Sequence, residues 1–314
     1  MEEPIMKIVI VGTGGVGGYY GAKLAQSGND VTFIARGSHL TAMRQKGLQI
    51  RSVLGDVHLT PVKATDRPSD IGKVDLMLFT VKTYQTEDAA AMIKPIIGSD
   101  TVILPLQNGI DATDRIGSLV GMEHMVGGTT WISASVEAPG VIGHYSQFHR
   151  IALGELNGTE TPRLKAVFET LKGSGVTVEI SGNIQKVLWI KFVFISAISA
   201  LGSLTRVTLD EYRSIPETRK FLESAVREVS SVGQAAGVAL DPDVVEKTLE
   251  FIDVRGPGMK PSMQRDVETG KPSELESMIG IVVRLGELHK VSTPVMGMVY
   301  AMLKPRELLA TRKG

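Results

Sequence analysis

Lys7–Gly12 reads KIVIVG, a short and almost unbroken apolar run that opens directly into Gly12-Thr13-Gly14-Gly15-Val16-Gly17. An apolar run without alternation marks a strand buried on both faces, as at the centre of a parallel sheet. Helical spacing follows through Ala25, so the glycines occupy a strand-to-helix turn. In that setting a G-x-G-x-x-G turn is a dinucleotide-binding signature. Gly12 permits the tight turn, Gly14 lets the backbone approach a pyrophosphate, and Gly17 allows the helix to pack closely on the strand. The start of the helix offers unpaired N–H groups to the phosphates.

The end of the next strand, Val31–Ala35, selects the dinucleotide. NAD sites place Asp or Glu there to hold the ribose hydroxyls. This chain has Ala35-Arg36-Gly37-Ser38 instead. A guanidinium suits a 2′-phosphate, which it can hold through paired hydrogen bonds. The pattern therefore predicts NADPH/NADP, against the plainer reading of an arginine that points into solvent.

Strand and helix continue to alternate. Gln49–Val53 and Val57–Val62 read as a hairpin, Val74–Thr80 and Thr101–Leu106 as buried strands, and Glu87–Lys94 and Asp111–Leu119 as helices. From Met125 to Ile180 the pattern is mostly β, with strands near Thr129–Val136, Ile151–Leu156 and Val176–Ile180. One helix interrupts it, with Thr161 as N-cap and Pro162 in the first helical position. After Ser181 long helical patterns take over: Ile184–Leu201, Glu217–Ala236, Asp243–Phe251 and Glu274–Lys290. Asp241-Pro242 and Ser273 read as helix starts, the latter with Glu276 completing a capping box. The prediction is an α/β fold: a Rossmann-type dinucleotide-binding domain over residues 1–182 and an all-helical substrate and catalytic domain over 183–314.

Composition narrows the partners. Lys plus Arg and Asp plus Glu both number 34 in 314 residues, so net charge gives no attraction to nucleic acid or an anionic membrane. There is no Cys, which excludes disulfides and thiolate chemistry. The six His form no metal-ligand set, and hydride transfer needs none. No signal-like apolar core follows the N-terminus. The apolar stretch Val187–Leu204 is interrupted by Lys191, which reads as a buried soluble helix rather than a membrane span. A cytoplasmic protein acting on a small molecule is expected. The chain length is compatible with a homodimer, although no residue pattern demands one.

Lys191 lies in Leu188-Trp-Ile-Lys-Phe-Val-Phe-Ile195. A charged amine in such a run must be paired, solvated or neutral. Snorkelling to a surface is one reading. The other is a general acid facing a cleft, with its pKa lowered by burial. Helical spacing sets Lys191, Ile195, Ile198 and Ser199 on one face. Glu274 is the candidate carboxylate partner, or simply an acid favoured at a helix start. Asn108 and Lys82 each follow a sheet strand at its C-terminal end, where ligands bind in such folds. Their plainer readings are an Asn-Gly turn and a solvated loop lysine.

Together these segments resemble the ketopantoate reductase (2-dehydropantoate 2-reductase) family over nearly the whole chain. The matching residues are Gly12–Gly17, Arg36, Val81-Lys82-Thr83, Gln107-Asn108-Gly109, Leu188-Trp-Ile-Lys191, Ser262-Met-Gln-Arg-Asp266 and Ser273-Glu274-Leu275. The resemblance implies an NADPH-dependent reduction of a 2-oxo acid. Lys191 would give a proton to the ketone oxygen, and Glu274 would hold a substrate hydroxyl and help orient Lys191. Asn108 would position substrate against the nicotinamide, Lys82 would lie at the cofactor–substrate junction, and Ser262 would bind the substrate carboxylate. The chain departs from the family at four positions where Asn is usual, which here are Ile195, Ser199, Met259 and Ile279. That departure points to a related reductase of a less polar 2-oxo acid as the alternative. A β-hydroxyacid dehydrogenase would carry a glycine-rich catalytic helix that is missing here. A non-catalytic NADPH sensor would need neither Lys191 nor Glu274.

Overall fold

The structure is a computed structural model that describes residues 5–312. In chain order its first elements are β1 (Lys7–Val11), α1 (Gly15–Gln26), β2 (Asp30–Ile34), α2 (Gly37–Lys46), β3 (Leu48–Ser52), β4 (Val57–Leu59), β5 (Lys63–Thr65), β6 (Val74–Phe79), α3 (Thr86–Ile93), β7 (Ile97–Pro105) and α4 (Ala112–Val120). There follow β8 (Gly127–Trp131), β9 (Ala134–Ala138), β10 (Val141–His144), β11 (Arg150–Gly154), α5 (Pro162–Gly173) and β12 (Thr177–Ile180). The remainder is helical: α6 (Ile184–Thr205), α7 (Leu209–Ser214), α8 (Pro216–Ala235), α9 (Val244–Asp253), α10 (Ser262–Glu268), a π-helical turn (Glu276–Gly280), α11 (Ile281–His289) and α12 (Pro294–Thr311).

The chain forms two compact units. One comprises residues up to Gln107 together with Asp111–Ile184; the other comprises Gln185 onward together with Asn108–Ile110. The sequence-based boundary assigns Asn108 to the first domain, whereas by its contacts it belongs to the second.

In the first unit β5-β2-β1-β6-β7 form a parallel sheet. Along β1, Ile8 and Ile10 enter one core and Val9 and Val11 enter the other. Both faces of the strand are therefore packed, which is why KIVIV shows no polar alternation. One core holds Tyr19 and Leu24 of α1, and the other holds Ala90 and Ile93 of α3 with Ile116 of α4. A second sheet has the order β4-β3-β10-β9 and a third β12-β11-β8. The expected strand near Thr129–Val136 is in fact two: β8 pairs with β11, while β9 pairs with β10. Thr161 caps α5 as anticipated, accepting the Leu164 N–H at 3.2 Å.

In the second unit, one apolar core joins α6, α8, α9, α10, α11 and α12. Helix α6 is long and apolar enough to cross a membrane, yet 78% of its most apolar window is buried inside the protein. The capping box expected at Ser273 does not form. Ser273 donates its N–H and its hydroxyl to Glu307, while Glu276 binds Arg284, Tyr300 and Lys304. The chain then enters the π-helical turn rather than a regular α-helix.

Candidate active site

The glycine turn has the geometry that its spacing implies. Gly12 has φ +98°, in the region that only glycine adopts without strain, and a Cβ there would lie 2.7 Å from Val81 Cγ1. A Cβ on Gly17 would lie 2.4 Å from the Gly12 carbonyl and 2.3 Å from Thr80 Oγ1, so α1 crosses β1 with no room for a side chain. Gly14 differs: among the described residues, no atom beyond its own chain neighbours lies within 4 Å of its Cβ position. It is the N-cap of α1, with no side chain over it. Thr13 is pinned to the end of β2, donating both its N–H and its hydroxyl to the Ile34 carbonyl at 3.1 and 2.9 Å. The first turn leaves the N–H groups of Gly15, Val16 and Gly17 without helical acceptors. An open cradle with converging N–H groups fits a pyrophosphate.

Gly15 has a constraint that the motif does not reveal. Its Cβ would lie 2.5 Å from the backbone of Ala134, so β9 passes directly over the start of α1. Arg36 is exposed at the end of β2 and serves as N-cap of α2, whose first turn carries no acidic residue. Its Nη2 reaches Met92 Sδ at 3.7 Å. Lys82 is partly buried on the segment after β6. That segment is held from two sides, a feature the sequence reading did not include. Gln107 Nε2 donates to the Val81 carbonyl at 2.8 Å and to Thr86 Oγ1 at 3.0 Å, and Arg115 donates to the Thr83 carbonyl at 2.8 Å.

In the helical unit three predicted residues meet. Lys191 Nζ donates to Asn108 Oδ1 at 3.1 Å, and Asn108 Nδ2 donates to Glu274 Oε2, also at 3.1 Å. Gly109, with φ +96°, lets the backbone turn immediately after Asn108. Glu274 is almost fully buried, at 4% exposure. Burial pushes the Lys191 amine down to about 8, and the Glu274 carboxylate opposes that shift. Lys191 is thus a partly buried amine hydrogen-bonded to an amide that in turn donates to a buried carboxylate.

The expected stripe along α6 is graded. Ile195 is partly exposed, whereas Ser199 is buried at 1% exposure. Of the other positions where the resemblance leads to an expected Asn, Met259 is partly exposed and Ile279 is fully buried in the helical core. Ser262 is the first residue of α10 and partly buried.

A glycine turn of this shape ahead of a helix, and a partly buried amine with its pKa lowered to about 8, fit an oxidoreductase acting on CH–OH groups. The protein is of that class. More particularly, the chain belongs to the ketopantoate reductase family. The family model described as ketopantoate reductase PanE/ApbA matches residues 8–158, and its C-terminal counterpart matches residues 183–307. The chain is 32% identical to the uncharacterized oxidoreductase YkpB of Bacillus subtilis, covering 96% of this chain and 99% of that protein. It is similar to the crystal structure of 2-dehydropantoate 2-reductase from Geobacter metallireducens, with a TM-score of 0.89, 30% identity, and 95% of this chain and 99% of that chain covered. It is similar also to D-mandelate dehydrogenase in a ternary structure with NADH and anilino(oxo)acetate, with a TM-score of 0.89, 26% identity, and 98% and 99% of the two chains covered.

Proposed function

We propose that this protein is an NADPH-dependent reductase that converts a 2-oxo acid to a 2-hydroxy acid. The first candidate reaction is 2-dehydropantoate to pantoate, the reductive step of pantothenate biosynthesis. The observation that carries the reading is the hydrogen-bonded series Lys191–Asn108–Glu274. NADPH, when bound, supplies the hydride. Lys191 transfers an Nζ proton to the ketone oxygen as that oxygen gains negative charge, and the neutral amine is then reprotonated from solvent. Asn108 Oδ1 accepts from Lys191 and so sets the direction of the amine; its Nδ2 donates to Glu274, whose carboxylate would accept a substrate hydroxyl. Ser262 serves the substrate carboxylate. Arg36 and the α2 N-terminus, with no acidic residue in its first turn, favour the 2′-phosphate of NADPH. Gly12–Gly17 hold the pyrophosphate, and Lys82 stands at the junction of cofactor and substrate.

A second reading has its own support. Ile195 and Met259 bring apolar side chains to positions where the family carries Asn, and the similar D-mandelate dehydrogenase was crystallised with the bulky anilino(oxo)acetate. On this reading the same chemistry acts on a less polar 2-oxo acid. The test is NADPH oxidation, compared with NADH, over a panel of 2-oxo acids. A clear kcat/KM preference for 2-dehydropantoate supports the first reading, and a preference for bulkier apolar chains supports the second. Binding of NADPH without turnover of any of them would leave a sensor.

A further inference from the structure

The Glu274 carboxylate meets Asn108 from a segment that is tied to α12 on both sides. On the N-terminal side, Ser273 donates its N–H to Glu307 Oε1 and Oε2 at 2.9 and 3.1 Å, and its hydroxyl to Oε2 at 2.5 Å. Hydrogen bonds to an ionised acceptor are short and roughly twice as strong as neutral ones. Ser273 is buried, so this joint is shielded from water. On the C-terminal side, Leu275 is fully buried in the helical core. Glu276 then accepts from Arg284 at 2.7 Å, from the Tyr300 hydroxyl at 2.8 Å and from Lys304. Tyr300, Lys304 and Glu307 all belong to α12.

The local backbone gives these ties something to hold. From Glu276 to Gly280 the chain is a π-helical turn, a form that occurs mostly as single turns within α-helices and often at functional sites. The Glu274 carbonyl accepts the Met278 N–H at 2.9 Å, so Glu274 stands at the entrance to that turn. A Cβ on Gly280 would lie 2.8 Å from Glu276 Oε2 and 2.9 Å from both Arg284 Nη1 and Tyr300 Cε2, so the turn is closed around the Glu276 carboxylate. A serine just before a helix ordinarily accepts an N–H of the first turn. Ser273 commits its hydroxyl proton to Glu307 instead, so α12 orients the start of this helix.

We propose that Glu307 is a positioning residue for Glu274: by holding the Ser273 N–H and hydroxyl, it fixes the backbone from which the Glu274 carboxylate reaches Asn108. Glu307 acts through Ser273 and Glu274 and not on the reacting atoms. These residues, with Asn108 and Lys191, lie in the helical unit, whereas the glycine turn lies in the other. Glu307 therefore bears on turnover and not on dinucleotide affinity. The proposal rests on the reading of Glu274 as a carboxylate of the substrate site, but not on the choice between 2-dehydropantoate and a less polar 2-oxo acid.

The experiment is a double-mutant cycle in kcat/KM, with NADPH and the better of 2-dehydropantoate and a bulkier apolar 2-oxo acid. The proteins are the wild type, Glu307→Ala, Glu307→Gln, Glu274→Ala and the double variant Glu307→Ala with Glu274→Ala. Glu307→Ala is expected to lower kcat/KM roughly ten- to a hundredfold, the scale of a group displaced by about 1 Å, with the NADPH Kd within about threefold of wild type. Glu307→Gln keeps an oxygen that can take both Ser273 donors, as Oε2 does now, and should restore most of the activity. On top of Glu274→Ala, Glu307→Ala should add less than about twofold, because the carboxylate that it positions is gone. Losses that multiply in the double variant would make Glu307 a general support of the fold and overturn the proposal, as would normal kinetics in Glu307→Ala. Normal kinetics in Glu274→Ala would instead overturn the reading of Glu274, and the proposal with it. Should Glu307→Ala fail to fold, Ser273→Ala removes the hydroxyl bond alone; a smaller loss that vanishes on top of Glu274→Ala is expected, and normal kinetics overturns the proposal. A crystal structure of the variant gives an answer that needs no turnover. The distance from Asn108 Nδ2 to the Glu274 carboxylate is expected to exceed about 3.5 Å, the limit of a hydrogen bond, and an intact bond overturns the clamp.

Discussion

The Lys191 ammonium donates to Asn108 Oδ1 at 3.1 Å across 83 positions of sequence. This bond settles the orientation of the amide. An ammonium can only donate, so Asn108 must turn its oxygen to Lys191 and its NH2 to the Glu274 carboxylate. A flipped amide would set donor against donor at one end and acceptor against acceptor at the other. This bond uses one of the three lysine protons.

Lys191→Ala removes the proton donor. Its kcat should fall by about 10²–10⁴-fold, the range of a lost general acid. Dinucleotide Kd should change by less than about threefold, because the proposed dinucleotide site is the glycine loop. Steady-state kinetics with a parallel binding titration check this. Near-normal turnover would show that Lys191 is a structural lysine.

The pH profile of kcat/KM should carry an alkaline limb near the Lys191 value of about 8. Reduction needs the protonated amine, so activity is retained below that pH and lost as the pH rises through it. The Glu274 carboxylate favours the charged amine, opposing its burial. Glu274→Gln should therefore move the limb to lower pH as well as reducing the rate. A limb that stays in place, or moves upward, would uncouple the two residues.

Arg36→Ala should weaken NADPH by roughly 1.5–3 kcal/mol, the loss expected for charge-assisted hydrogen bonds. That is about ten- to a hundredfold in Kd. NADH affinity should hardly move, since NADH lacks the 2′-phosphate. Comparable binding of the two dinucleotides by the unmutated protein would remove the basis for the selectivity.

Two adjacent glycines should fail in different ways. Among the described residues, no atom beyond its chain neighbours lies within 4 Å of the Gly14 Cβ position, whereas the Gly15 position lies 2.5 Å from the Ala134 backbone. Gly14→Ala should keep the melting temperature within about 3 °C, as for a site without packing, while strongly weakening dinucleotide binding. Gly15→Ala should lose about 1–3 kcal/mol of stability, as overpacking does. Thermal melts and a titration on both variants separate the cradle from the packing.

Ile195 offers a test of the substrate. Ile195→Asn should raise the kcat/KM ratio for 2-dehydropantoate over a bulkier apolar 2-oxo acid by roughly tenfold, if the side chain meets the substrate. An unchanged ratio would place specificity elsewhere.

Much of this was legible in the residues because it is local. Gly12, Gly14 and Gly17 sit at fixed offsets after an apolar strand, and each has the environment that its offset implies. The cap of α5 at Thr161 is local too. What escaped depends on contacts distant in sequence. Thr129–Val136 reads as one strand because nothing in its residues marks the change of sheet at Ile132–Ser133. Ser273 looks like a capping residue until Glu307, 34 positions later, takes its N–H and hydroxyl. Helix α12 contains Pro305, which breaks the pattern by which a helix is recognised. From sequence, Lys191 reads equally as a snorkelling amine or a cleft-facing acid, because its partner Asn108, and Glu274 beyond it, lie far away along the chain. Gln107 belongs to the matching segment Gln107-Asn108-Gly109, but its bonds to the Val81 carbonyl and to Thr86 join positions far apart along the chain and leave no local signal.

The short passage of Asn108–Ile110 through the helical unit limits how this protein can be recombined. A chimera spliced once, near residue 184, would inherit the lysine and carboxylate from one parent and the amide between them from the other. Two relatives of different specificity can be exchanged cleanly only if these three residues travel with the C-terminal portion. The hydrogen-bonded trio is thus discontinuous along the chain, and an exchange of halves at a single breakpoint would separate its members even where both halves fold.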